Sequence, residues 1–274
     1  MNVTTFSTTN STGLHNSLQV GIYIINLLFS FPAHSYVIRL IITGAGSGIA
    51  AEFFVLTSSV CEIAICLKTL IFVLSVWLQS LSILDQFFVG FTTTGRPLFQ
   101  CLICVERYLA VVHPVTFLKY KPLRYRLICC TAAWIFCFGS CVFCMFTLSS
   151  YQSAYLLLFI MQLTVFLSIK YFCLSAVLRA LKQSGPGERG REREEENPMK
   201  RRAFHLILIT TVSTIIAYGP FTIASIISIV QIPYLNIMTV WVSALICFFL
   251  AGFVQPVLYL QRTGKIPFFY SPKV

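Results

Sequence analysis

The sequence predicts an all-α membrane protein, a seven-transmembrane helix bundle with its N-terminus outside and its C-terminus inside. Three observations lead there. Of 274 residues, 57% are hydrophobic and only 11% are charged, with a mean hydropathy of +0.81. A soluble domain carries roughly a quarter charged residues. Seven segments stay mostly apolar over the roughly 20 residues a helix needs to cross a bilayer. The basic residues gather in alternate connections between those segments.

Residues 1–19 are rich in Ser, Thr and Asn and are read as an extracellular N-terminus. They lack the basic start and short apolar core of a cleavable signal peptide. Two glycosylation sequons lie there, Asn2-Val3-Thr4 and Asn10-Ser11-Thr12. The transmembrane domain, 20–260, has spans at 20–43, 51–76, 80–112, 127–148, 154–181, 201–230 and 236–260. A glycine-rich turn, Thr43 to Gly48, separates the first two. Glu62 and Lys68 interrupt span 2, and Asp85 and Arg96 interrupt span 3. Span 3 closes on Glu106-Arg107-Tyr108, followed by His113, Pro114 and a basic loop to Arg126. Between spans 5 and 6, residues 182–200 hold Ser184-Gly185-Pro186-Gly187 and then a run of Arg and Glu. Gly, Pro and solvated charge predict a flexible third intracellular loop. The tail, 261–274, is short, and Gly264 and Pro267 oppose a long helix there.

The net charge is +11, and its placement sets the orientation. Segments 1–19, 77–79, 149–153 and 231–235 contain no Lys or Arg, whereas 113–126, 182–202 and 261–274 contain many. Basic loops stay on the cytoplasmic side. Charge split into short loops between apolar spans is not a nucleic-acid-binding face. The eleven cysteines all fall within the spans, so no disulfide is expected. Cys101 and Cys104 have a C-x-x-C spacing but lack the second pair of a zinc site. No metal site, cofactor or catalytic constellation is expected, and the chain is not read as an enzyme.

Taken in order, Glu106-Arg107-Tyr108 closing span 3, Leu109 to Pro114 after it, Trp134 in span 4, Pro220 in span 6 and Pro256-x-x-Tyr259 in span 7 resemble the rhodopsin-like (class A) G-protein-coupled receptors. The resemblance covers about residues 20–260. It implies a plasma-membrane receptor that passes an unknown extracellular ligand's signal to a heterotrimeric G protein by moving the cytoplasmic helix ends. Glu106, Arg107, Tyr108, His113 and Pro114 would form the coupling site, with Arg107 held at rest by neighbouring Glu106. Tyr218, Pro220, Gln255, Pro256 and Tyr259 would form the activation switch. A proline removes a backbone hydrogen bond and lets a membrane helix bend.

The departures bear on mechanism. Tyr218 replaces the family's toggle Trp, and Gln255 replaces the Asn before the span 7 proline. His34, Glu62 and Arg96 stand at the family's Asn, Asp and small polar positions of spans 1 to 3. Ser82 replaces the cysteine of the family's extracellular disulfide. Arg96 precedes Arg107 by eleven residues, about three turns and roughly 16 Å, which returns it to nearly the same face. A lone charge at that depth is costly, so Glu62 and Arg96 are expected to pair, with His34 or Gln255 as candidate partners. The guanidinium would fill the family's sodium pocket. A static core pair and a switching pair both remain open.

Lys68, Asp85, Val89 and Tyr218 are the candidate ligand-pocket residues. Val89 stands where amine receptors carry an Asp, which disfavours amines. Phe249 and the absence of Lys from span 7 argue against retinal. Lys68 and Asp85 are expected to pair; a free Lys68 would favour an acidic ligand. Two alternatives stay open. One is a receptor-like protein that is silent, constitutively active or only a dimer partner. The other is a small transporter or channel, since intramembrane charges also mark transport pathways.

Overall fold

Many large apolar side chains face outward in this molecule, and many polar ones face inward. Leu28, Phe29, Ile128, Phe172 and Leu250 are each at least 60% exposed, while Asn26, His34, Ser59, Glu62, Arg96 and Lys170 are buried. A water-soluble fold does not present so much apolar surface. Lipid is the solvent that accepts it. Among the described residues, six helices are long and apolar enough to cross a membrane: Ser17–Ile42, Phe53–Ser75, Leu123–Thr147, Gln152–Lys182, Lys200–Val230 and Thr239–Arg262. That is the pattern of a multi-pass membrane protein.

The computed structural model describes residues 3–44, 52–120, 123–148, 150–183, 190–230 and 237–265. Among them the regular elements are all helical. They are α1 (Val3–Ile42), α2 (Phe53–Ser75), α3 (Ser82–Gly90), α4 (Arg96–Val112), α5 (Pro114–Tyr120), α6 (Leu123–Thr147), α7 (Gln152–Gln183), α8 (Gly190–Val230), α9 (Ile237–Gly252) and α10 (Val254–Arg262). A single 3₁₀ turn, Gln79–Leu81, precedes α3.

The third expected span does not form a single regular helix, and neither does the seventh. A π turn, Phe91–Gly95, joins α3 to α4 while the backbone stays right-handed throughout. Pro97 accounts for it. Its ring collides with the carbonyl four residues back, and its nitrogen donates nothing. Widening the turn relieves the clash. The Arg96 amide then bonds Phe91 O, so neither Arg96 nor Pro97 donates to Thr92 O. Pro256 has a similar effect at the break between α9 and α10.

Two further segments differ from expectation. Residues 1–19 are not merely a polar lead-in, because α1 begins at Val3 and takes in Asn10. The 182–200 loop is shorter than expected, because α8 starts at Gly190 and runs through Pro198. Arg and Glu are good helix formers, and a solvated charge run is no bar to a helix. Asn2, residues 184–189 and the tail from residue 266 lie outside the described residues.

The helices pack as a closed bundle. α1 packs on α2, α7 on α8, α8 on α9, and α9 returns to α1. α4 lies inside, against α2, α7 and α8. The α3 segment sits against α6, and Gly90 makes that approach close. A Cβ there would lie 2.5 Å from the Cys141 Cα.

Candidate functional site

Arg96 occupies the centre of the bundle. Starting α4 after the π turn, it reaches α2 and α9 together. Its Nε donates to Glu62 Oε1 at 2.5 Å and its Nη2 to Glu62 Oε2 at 2.6 Å. Its Nη1 donates to the Phe248 carbonyl at 2.7 Å, and the guanidinium carbon lies 3.8 Å from the Phe248 ring centre. Both charged side chains are 2% exposed. This is the two-pronged geometry in which Arg and carboxylate bind most strongly. Gly252 makes room, since a Cβ there would stand 3.0 Å from Arg96 Nη2. The expected Glu62–Arg96 pair is thus present, but the expected helpers are not. Among the described residues, His34 hydrogen-bonds neither member of the pair. Gln255 lies further along, accepting from Ser58 Oγ at 2.6 Å and donating to Val55 O at 3.4 Å.

On one side of Arg96 lies a cavity of about 350 Å³. Lys68, Val89 and Tyr218 line it, with Tyr23, Phe159, Phe221, Trp241 and Phe248 among others. Asp85 does not line it, but pairs with Lys68 at 3.6 Å. Tyr218 donates to Thr92 O at 2.7 Å. The acceptor is the carbonyl that the π turn and Pro97 leave without a donor, so two sequence irregularities on different helices meet in one bond. Pro220 lies within α8, two residues beyond Tyr218.

On the other side lies a cavity of about 40 Å³, lined by Gln100, Arg107, Thr210, Gln255, Tyr259 and Arg262 among others. Here the structure refines the expected restraint on Arg107. Glu106 makes a short ion pair with Arg126 of α6 at 2.7 Å and, among the described residues, none with Arg107, although the two charges still act on each other as neighbours. Adjacent helical residues point about 100° apart and do not face each other. Arg107 borders the small cavity, and among the described residues its Nε and the Tyr259 hydroxyl have no hydrogen-bond partner. Tyr108 Oη and His113 Nε2 are 3.0 Å apart, and Pro114 opens α5. Glu52, at the start of α2, pairs with Arg262 at 3.1 Å. Pro256 and Tyr259 are buried in α10.

Lys170 escaped the sequence reading. It is wholly buried in α7, donating to Gln100 Oε1 at 3.1 Å and to Thr214 Oγ1 at 2.5 Å. It ties α7 to α4 and α8. The signal was there: a lysine in the middle of an apolar span is an unusual charge. Glu52 and Arg126 also escaped, because their partners lie far along the chain. All eleven cysteines are free thiols, and no cluster suited to a metal ion occurs among the described residues.

Compared with known proteins, the chain matches no family model and none of the curated proteins.

Proposed function

We propose that this chain is a receptor of the rhodopsin-like G-protein-coupled type. It crosses the plasma membrane seven times, with the Ser82–Val112 helix as the third span. Its N-terminus is outside, and it transmits occupancy of the larger cavity to a heterotrimeric G protein. One observation carries the reading. α4 has the ligand-sized cavity beside the π turn near its start and Arg107, with no carboxylate in ion-pair range among the described residues, near its end. α8 borders both cavities, through Tyr218 on one and Thr210 on the other. A ligand that displaces Tyr218 acts on α8 at Pro220. A bend there parts the Arg107 ends of α4 and α8. Arg107 then offers its planar donors to carbonyls of the partner. Basic loops at the Arg107 end support an inside assignment for it.

A transporter reading draws on the buried charges. Against it, the two cavities share no lining residue, and Arg96 with its three hydrogen bonds lies in the bundle core. The deciding experiment is agonist-free activation of a panel of chimeric Gα subunits in cells expressing the chain. The receptor reading predicts activation that Arg107→Ala abolishes at equal surface expression. Activation of no subunit, or activation indifferent to Arg107→Ala, overturns it.

A further inference from the structure

The larger cavity carries a single formal charge, and that charge is not fully used. Among the described residues, Lys68 is the only charged one in its wall. An ammonium offers three N–H donors. Among the described residues, the only acceptor in hydrogen-bond range of this one is the Tyr23 hydroxyl, at 3.0 Å. Asp85 stands off at 3.6 Å, an ion-pair distance longer than a hydrogen bond, and no other described residue reaches its buried Oδ1. The rings of Tyr23 and Phe72, at 4.6 and 5.1 Å, hold the ammonium in place through cation–π contact. Lys68 is therefore 7% exposed and positioned, yet has donors to spare.

Part of the wall is aromatic. Phe221 lies against Trp241 and Phe248, with ring centres 5.6 and 5.8 Å apart, and all three line the cavity. The volume falls in the range that small organic ligands occupy. A cationic ligand would meet only a like charge. A ligand with two anionic groups would leave the second without a cation.

We propose that this cavity binds a small apolar monocarboxylate. Its carboxylate accepts the spare donors of Lys68, and its hydrocarbon or aryl body lies on Phe221, Trp241 and Phe248. Asp85, behind the wall, keeps the ammonium oriented in the empty state and yields to the incoming carboxylate. The physiological meaning of the site rests on the receptor reading, but the binding does not.

The test is thermal melting of the purified full-length chain in detergent. It is titrated with naphthylacetate, biphenylacetate and dodecanoate, each beside its methyl ester. The acids should raise the melting temperature at concentrations about tenfold below their esters, as expected for one charge-assisted hydrogen-bonded contact. Lys68→Gln should erase the preference for acid over ester. Asp85→Asn, which frees the ammonium, should strengthen acid binding. Should Lys68→Gln not fold, the acid–ester comparison on the unaltered chain and the Asp85→Asn titration still decide. Acids and esters acting alike, no acid shifting the melt, or an acid preference that survives Lys68→Gln would overturn the proposal. Such a failure leaves G-protein coupling untouched. Acid binding without any G-protein activation would keep this site and remove the receptor reading.

Discussion

Arg96→Ser removes the guanidinium and leaves Glu62 buried without its partner. The loss can be sized from the contacts. Two short charge-assisted bonds to Glu62 vanish, with a third to the Phe248 carbonyl, between groups only 2% exposed. Breaking a buried pair by deleting one partner costs about 3–5 kcal/mol. At roughly 2–4 °C per kcal/mol for a chain of this size, the melting temperature should fall by about 10 °C. Replacing both partners with apolar residues, Glu62→Leu with Arg96→Met, should recover most of the loss, because no charge is then left unpaired. Sodium sharpens the assay. With the guanidinium in place, exchanging potassium for sodium should not move the melt. In Arg96→Ser the exposed carboxylate can take a cation, so sodium should restore part of the stability. The measurement is a melting curve of each purified variant in matched sodium and potassium buffers. An Arg96→Ser melt within about 2 °C of the parent refutes the reasoning, at the scale of 2–4 °C per kcal/mol. So does a parent chain that sodium stabilises.

Other outcomes follow from the same geometry. Lys170→Met should raise the melting temperature by a few degrees. It removes a buried charge whose acceptors among the described residues are neutral, and Thr214 still donates to Gln100 at 2.9 Å. Gly90→Ala should cost about 1–3 kcal/mol, since the new Cβ meets Cys141 backbone that cannot step aside. Gly21→Ala, which meets open space, should be neutral or slightly stabilising, and paired melts compare the two. A double-mutant cycle on Glu106→Gln and Arg126→Ala should give a coupling above about 1 kcal/mol, and one on Glu106→Gln and Arg107→Ala a smaller one.

The sequence announced a helical membrane protein because a bilayer dictates element length and composition so strictly. All six long apolar helices begin and end within four residues of the expected spans. The Glu62–Arg96 pair was legible for a related reason. Two opposite charges at one depth in hydrocarbon have little alternative but each other, and helical spacing placed Arg96 inside. The same logic placed Lys68 beside Asp85. What stayed hidden was set by local backbone chemistry and long-range contact. The π turn depends on Pro97 acting one turn back, and hydropathy is blind to it. Its consequence, the Thr92 carbonyl taken by Tyr218, needs α4 and α8 in register. The pairing of Glu106 with Arg126 rather than Arg107 turns on side-chain direction, which a triplet read as adjacent letters conceals. The helical start of α8 was missed because charge runs read as solvated, and solvated helices look the same.

The central claim is that α4 and α8 part at the Arg107 end to admit a G protein. Cys104 of α4 and Thr210 of α8 are already in contact there, sulfur to hydroxyl at 3.3 Å. Thr210→Cys puts two thiols in reach of a disulfide with little movement. Agonist-free G-protein activation is then measured on this variant before oxidation, after oxidation and after reduction, beside the parent chain treated alike. The account predicts that oxidation silences the variant, that reduction restores it, and that the parent is unaffected. A bridged chain that activates G protein as well as the reduced one would contradict it.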